Sequence, residues 1–229
     1  MTTVIAEFET RVKEVDLYFK FLNELINDNA QLYFEQRSRN RKSNIDPELL
    51  KVLKANGFLL LYNLIEASTK KSIEKIYEKV SAEDLQYKDF RDEVKMRWID
   101  HNYKNFQQKG SEEIFKAIEK IASDTINIKF NSKKVISGNV DALKIREFAA
   151  IYGFSDRTHY LAKNGSKLHF VKTNRNDLAH GVVSFAECGR QHTFEDLNKT
   201  RKEVIVYMRG ILKNVDEYIN KKLYLRKTA

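Results

Sequence analysis

One proline in 229 residues, Pro47, is the feature that most limits what this chain can become. Chains that turn often are punctuated by proline and glycine, and here only eight glycines join it. So few breakers suit a small number of long elements, not a many-stranded fold. Helix formers dominate, with Lys, Glu, Leu, Ala and Ile frequent. The apolar residues Val4, Phe8, Val12, Val15, Phe19, Leu22 and Ile26 recur in steps of three and four, which predicts an amphipathic helix from about Thr3 to about Gln36. We read the chain as all-α and as a single domain over residues 1–229, long enough to bury a substantial core.

The remaining punctuation divides the chain further. The polar, basic stretch from Gln36 to Asn44 reads as a connector, either a contact for an RNA backbone or a solvated loop. Asp46 and Pro47 suit the cap and first turn of a second helix, which runs through Leu49, Val52, Leu53, Leu60, Leu64, Ile73 and Val80. Residues Phe58 to Leu61 are apolar on every side, so this helix is expected at the centre of the core, with Gly57 allowing a close neighbour. A third helix is expected from Ser81–Glu83 to about Gln108, and Gly110 to Glu113 restarts another with acidic residues in its first turn. Residues 126–138 read as loop or short extended chain, and Asn139 as the cap of a helix from Val140 to Tyr152. Gly153 to Gly165 is a connector, a helix follows from about Lys167 to His180, and Val182 to Gln191 is expected to be irregular, broken by Gly189. Thr193 caps the last helix, with Glu195 and Asp196 in its first turn, running through Tyr218 and at most to Leu225.

The formal net charge of +9 points to a polyanionic partner, because neutralising phosphates releases condensed counterions. The charge is spread along the chain and so does not separate RNA from DNA. Cys188 is the only cysteine, which excludes an intramolecular disulfide and the usual thiolate zinc sites. His101, His159, His169 and His192 lack the spacing of metal ligands, so no metal and no cofactor is expected. Neither a glycine-rich phosphate loop nor a nucleophile elbow is present. The N-terminus, interrupted by Glu7 and Glu9, does not read as a signal peptide, and no apolar run is long enough to span a membrane. The expectation is a cytoplasmic protein without a membrane partner.

One stretch carries chemistry: Arg175-Asn176-Asp177-Leu178-Ala179-His180-Gly181. It joins a permanent cation to a side chain that moves protons near neutral pH. Arg175 falls in the apolar stripe with Leu168, Val171 and Leu178, and Gly181 is a natural helix stop. Positions 175 and 180 lie roughly 140° apart around a straight helix. Either the last turn unwinds to bring His180 toward Arg175, or the two side chains meet counterparts from a second subunit. Glu66, set among apolar residues, is either a buried partner for Arg175 or a carboxylate at the core's edge.

Arg–His spacing by itself is common in a chain with 13 arginines and five histidines; its context is not. RNDLAHG resembles the R-φ-x-x-x-H signature of the HEPN superfamily, in which φ is a polar residue. The segments 62–67 (YNLIEA), 136–141 (ISGNVD) and 184–187 (SFAE) also look like stand-alone prokaryotic HEPN proteins linked to phage defence and restriction loci. The resemblance implies a HEPN-like antiparallel helical bundle with additional helices. It implies a metal-independent endoribonuclease, a toxin or phage-defence effector, with Arg175, Asn176 and His180 as catalytic residues. It further implies RNA as the substrate, a homodimer whose paired motifs form one site, and a cognate antitoxin or defence-system partner. The alternative is a non-catalytic HEPN-like module that binds RNA or a partner protein. One related branch has a tyrosine two residues after the histidine that is modified by a nucleotidyltransferase; Val182 stands there instead. Tyr160 and Phe185, near the motif, are the aromatic residues best placed to stack on a base.

Overall fold

A computed structural model describes residues 3–28, 30–35, 40–83, 85–107, 110–122 and 138–226. Among these the fold is all-α apart from one small hairpin. Helix α1 (Thr3–Ile26) buries Phe8, Val12, Val15, Phe19 and Leu22 along one stripe. It ends ten residues before the expected Gln36, where the apolar repeat also ends. Asn27 and Asp28 follow, residues whose side chains compete with the helix for backbone partners. Strands β1 (Leu32–Phe34) and β2 (Arg41–Ser43) then pair antiparallel, with Leu32 opposite Ser43, Tyr33 opposite Lys42 and Phe34 opposite Arg41. The basic connector expected at 36–44 is therefore partly strand, and its residues 36–39 lie outside the described residues.

Helix α2 (Pro47–Ala82) has 36 residues, about 54 Å of rise. Asp46 caps it by accepting from the Glu48 N–H at 2.8 Å, with Pro47 in the first turn as the sequence suggested. Its middle buries Ala55, Phe58, Leu61, Tyr62, Leu64 and Ile65, because helices α1, α6, α7 and α8 pack against it, while Leu59 and Leu60 stay half-buried and Asn63 exposed, so it is not enclosed on every side. The next helix does not begin at 81–83. The chain instead runs through a short 3₁₀ turn (Tyr87–Asp89), and α3 (Asp92–Gln107) starts nine residues late. Phe90, fully buried, pairs in an isolated bridge with Leu225, so this break is where the C-terminal end is stitched back to the body. Helix α4 (Ser111–Ala122) starts with Glu112 and Glu113 in its first turn, as expected.

The loop expected at 126–138 lies outside the described residues except for Gly138. Helix α5 (Ala142–Tyr152) is capped by Asp141, which accepts from the Lys144 N–H, and not by Asn139. Asn139 takes a left-handed conformation (φ 53°) in the approach to the helix. A 3₁₀ segment (Tyr160–Gly165) leads into α6 (Ser166–Ala179), and α7 (Phe185–Arg190) replaces the expected irregular stretch. Ser184 and Glu187 form a reciprocal capping box that starts α7. Gly189 is not a breaker: it lies within α7, where an added Cβ would sit 1.9 Å from the Lys51 carbonyl oxygen of α2. Gly57, by contrast, leaves ordinary room, since a Cβ there would meet the Phe19 ring at 3.4 Å. Helix α8 (Phe194–Asn220) is capped by Thr193 and buries Leu197, Val204, Met208, Ile211, Val215 and Tyr218. Helix α3 packs on α5, and α8 on α1, α2 and α6. Among the described residues no helix is long and apolar enough to cross a membrane.

Candidate active site

Helix α6 presents Leu168, Val171 and Leu178 to the core, and Arg175 shares that stripe. A charged residue there needs a partner that tolerates burial. It has one in the buried ring of Tyr62, which projects from α2 with the Arg175 guanidinium 4.4 Å from its centroid. Such a stack, partly shielded from water, contributes roughly 1–2 kcal/mol. The same guanidinium donates through Nη1 to Asn176 Oδ1 at 2.9 Å, and Asn176 Nδ2 donates in turn to Asn139 Oδ1 at 2.9 Å. The Tyr62 hydroxyl accepts the Val140 N–H at 3.2 Å. The stretch before α5 thus closes a polar ring around the arginine. Its left-handed Gly138 and Asn139 (φ 57° and 53°) make the turn that allows it.

His180 sits one position beyond α6, as its C-terminal cap. The helix ends in a Schellman arrangement: Val182 N–H donates to Asp177 O at 2.9 Å, and Gly181 N–H to Leu178 O at 3.4 Å. Gly181 supplies the left-handed residue this requires (φ 68°). The last turn does not unwind, because His180 N–H still donates to Asn176 O at 2.9 Å. Of the two arrangements open from the sequence, rotation of His180 toward Arg175 within one copy is therefore not what forms. The imidazole is exposed, while Arg175 is half-buried and tethered.

A model of the family described as HEPN_MAE_28990-like HEPN matches residues 1–224. The chain is a HEPN protein. Neither the comparison with curated proteins nor that with solved structures gave a match. The motif that carried the resemblance lies within the matched residues, and the all-α expectation agrees with the family.

Within this HEPN protein Glu66 is half-buried near Gly138 and forms no ion pair with Arg175. Among the described residues the partners of the motif arginine are neutral: a ring, an amide and the amide beyond it. Tyr160 is exposed and stacks on His159, with ring centroids 4.3 Å apart, whereas Phe185 packs against the core and is not free for a base.

Two polar clusters on α6 were not visible in the sequence. Asp141 both caps α5 and pairs with Lys172 and His169 of α6. Burial raises the Asp141 pKa, but the Lys172 ammonium, the Lys144 N–H and His169 outweigh it and hold the carboxyl below its ordinary value. On another side of α6, Asn174 Oδ1 receives His192 Nε2 at 3.2 Å and the Cys188 thiol at 3.6 Å. Phe58 and Phe170 press edge-on to the His192 ring. Burial pushes the His192 pKa down and the Cys188 pKa up, so a neutral imidazole and a neutral thiol share one acceptor. Because both donate to the amide, neither serves the other as base, and the cluster is packing. Among the described residues no group of His, Cys, Asp and Glu is arranged to hold a metal ion.

Proposed function

We propose that this HEPN protein is a metal-independent endoribonuclease, acting as a toxin or phage-defence effector restrained by a cognate antitoxin or defence-system partner. The observation that carries the reading is the contrast at the motif: a guanidinium clamped by Tyr62 and Asn176, beside an imidazole left exposed by an intact helix end. A fixed cation suits a phosphate whose charge grows in the transition state. An exposed imidazole suits proton transfer.

In the reaction the 2′-hydroxyl loses its proton to His180 and its oxygen attacks the adjacent phosphorus. The phosphorus–O5′ bond breaks and the leaving oxygen takes a proton from a second imidazole. The products are a 2′,3′-cyclic phosphate and a 5′-hydroxyl. Arg175 holds the non-bridging oxygens through its planar fork, and Asn176 keeps that fork oriented. Since Arg175 and His180 point to different sides of one helix end, the working site would be built by two copies, whose His180 residues serve as base and acid. A homodimer follows from this reading.

Cleavage of RNA by the purified protein in EDTA, with product ends mapped, tests it. Cyclic-phosphate ends from the wild type and none from His180→Ala or Arg175→Ala support the reading. Equal cleavage by all three sinks it. Salt-sensitive RNA binding with no product from any of them would favour the non-catalytic module instead.

A further inference from the structure

Among the described residues the apolar side chains of the β1–β2 hairpin pack on nothing in the core, as is also true of Phe115 and Ile118 on α4, but in the hairpin each exposed ring stands across from a cation. Leu32, Tyr33 and Phe34 are 44%, 55% and 39% exposed, and none belongs to the core or to the side chains packed against it. Gln31 Nε2 donates to Asn44 Oδ1 at 2.7 Å and closes the base, and Ala30 N–H donates to Glu24 O at 3.1 Å, tying that base to α1. A two-stranded hairpin standing alone is marginal in water. Exposed rings at its centre give it no help unless something covers them.

The cross-strand pairs indicate what would. Side chains alternate between the two faces of a strand. Phe34 and its partner Arg41 share one face, with the guanidinium 5.1 Å from the ring centroid, and Tyr33 shares the other face with Lys42. Each face therefore offers one aromatic ring beside one cation. A surface built for another protein's apolar patch is depleted in lysine at its centre. A single-stranded nucleic acid needs this combination: a ring for each base to stack on and a cation within reach of the adjoining phosphate. Duplex RNA hides its base faces and gives the rings nothing to stack on.

We propose that the hairpin is a docking element for single-stranded RNA, with Tyr33 and Phe34 as stacking platforms and Arg41 and Lys42 as phosphate contacts. The choice of RNA rests on the proposed cleavage function. The hairpin delivers an unpaired strand to the protein and restricts the substrate to RNA whose bases are free.

The test uses full-length protein carrying His180→Ala, so that the RNA survives, and a fluorescent oligouridylate beside an RNA duplex. Tyr33→Ala with Phe34→Ala weakens oligouridylate binding by about tenfold or more, and duplex binding much less. Arg41→Ala with Lys42→Ala lowers the slope of log affinity against log salt by about 1.4, two phosphate contacts on a single strand. Thermal unfolding stays as in the parent, because these side chains lie outside the core. Unchanged oligouridylate affinity in both variants overturns the proposal. So does a shift from dimer to monomer in the aromatic variant with RNA affinity intact, which would assign the face to a second copy. Failure of the two readings is separable. A wild type that binds through the hairpin yet leaves RNA uncut keeps the docking element and ends the cleavage reading. A wild type that cuts, with hairpin variants binding normally, does the reverse.

Discussion

His180 and His192 are both held near α6, and the protein treats them in opposite ways. His192 is half-buried between Phe58 and Phe170 and committed to Asn174, while His180 stands exposed at the helix cap. Their asparagines differ in the same sense. Asn174 is consumed by its own surroundings, donating to Phe170 O and accepting from Cys188 and His192. Asn176 links two partners, accepting from the Arg175 guanidinium and donating to Asn139. The lesson is that an Asn–His combination identifies no site by itself. What separates a working cluster from a packing one is whether the hydrogen-bond chain ends inside or includes a charged donor.

The comparison breaks first, and most widely, on activity. His180→Ala lowers RNA cleavage by about 10²- to 10⁴-fold and leaves the melting temperature unchanged. His192→Ala does the opposite, lowering the melting temperature and sparing most of the cleavage rate. Steady-state cleavage and thermal unfolding of the two variants side by side give the answer; a His192 variant as inactive as His180→Ala, yet fully folded, would merge the clusters.

Next in size is the crossing that holds the buried cluster shut. Gly189→Ala drives a methyl into the backbone of Lys51, so α7 must leave α2, at a cost of about 3 kcal/mol or more by urea unfolding. If the loss is under about 1 kcal/mol, α7 is not as tightly seated as its contacts imply.

Tyr62 sharpens the exposed cluster, because it contributes a ring to Arg175 and a hydroxyl to Val140. Tyr62→Phe keeps the ring and strands the Val140 N–H, costing roughly 1–3 kcal/mol of stability while cleavage persists. Tyr62→Leu removes the ring as well, and cleavage falls by roughly a further tenfold in kcat, with KM nearly constant. Equal activity in the two variants would mean that the ring does not position Arg175.

How much of this was legible in the sequence follows the range of each interaction. The ends of α2, α6 and α8 were readable because Asp46 with Pro47, Gly181 and Thr193 act on their own neighbours. Asn139 and Asp141 are both good caps two residues apart, and only the pairing of Asp141 with Lys172 on another helix decides between them. Gly189 read as a breaker because the close approach of Lys51, which requires glycine, is a tertiary fact. The hairpin was missed because Leu32, Tyr33 and Phe34 continue the apolar content of α1 without its spacing. At the motif, Arg175, Asn176 and His180 were legible as residue types. Tyr62 and Asn139 were not, since nothing local links positions 62, 139 and 175.

The smallest effect is one of pH, and it belongs to the buried cluster. Burial holds the His192 pKa below the ordinary 6.5, with Lys54 and Lys167 pushing the same way and Asp196 opposing. In the unfolded chain the imidazole takes its proton near that ordinary value; in the folded protein it resists until lower pH. Between the two, the unfolded state binds more protons, so stability is full above about pH 6.5 and falls as the pH drops toward the folded value. Asp141 adds a separate acid loss, at a lower pH. Its depressed folded pKa contributes stability above the ordinary 3.8 that disappears as the pH falls below it. His192→Gln retains an N–H for Asn174 but has nothing to titrate. Urea unfolding from about pH 7 to about pH 3 should therefore show a stability that declines down to about pH 5 in the wild type and a flatter line there in His192→Gln, with the loss below about pH 4 common to both. Parallel lines through the upper range would place the histidine in contact with water and remove the distinction between the two clusters.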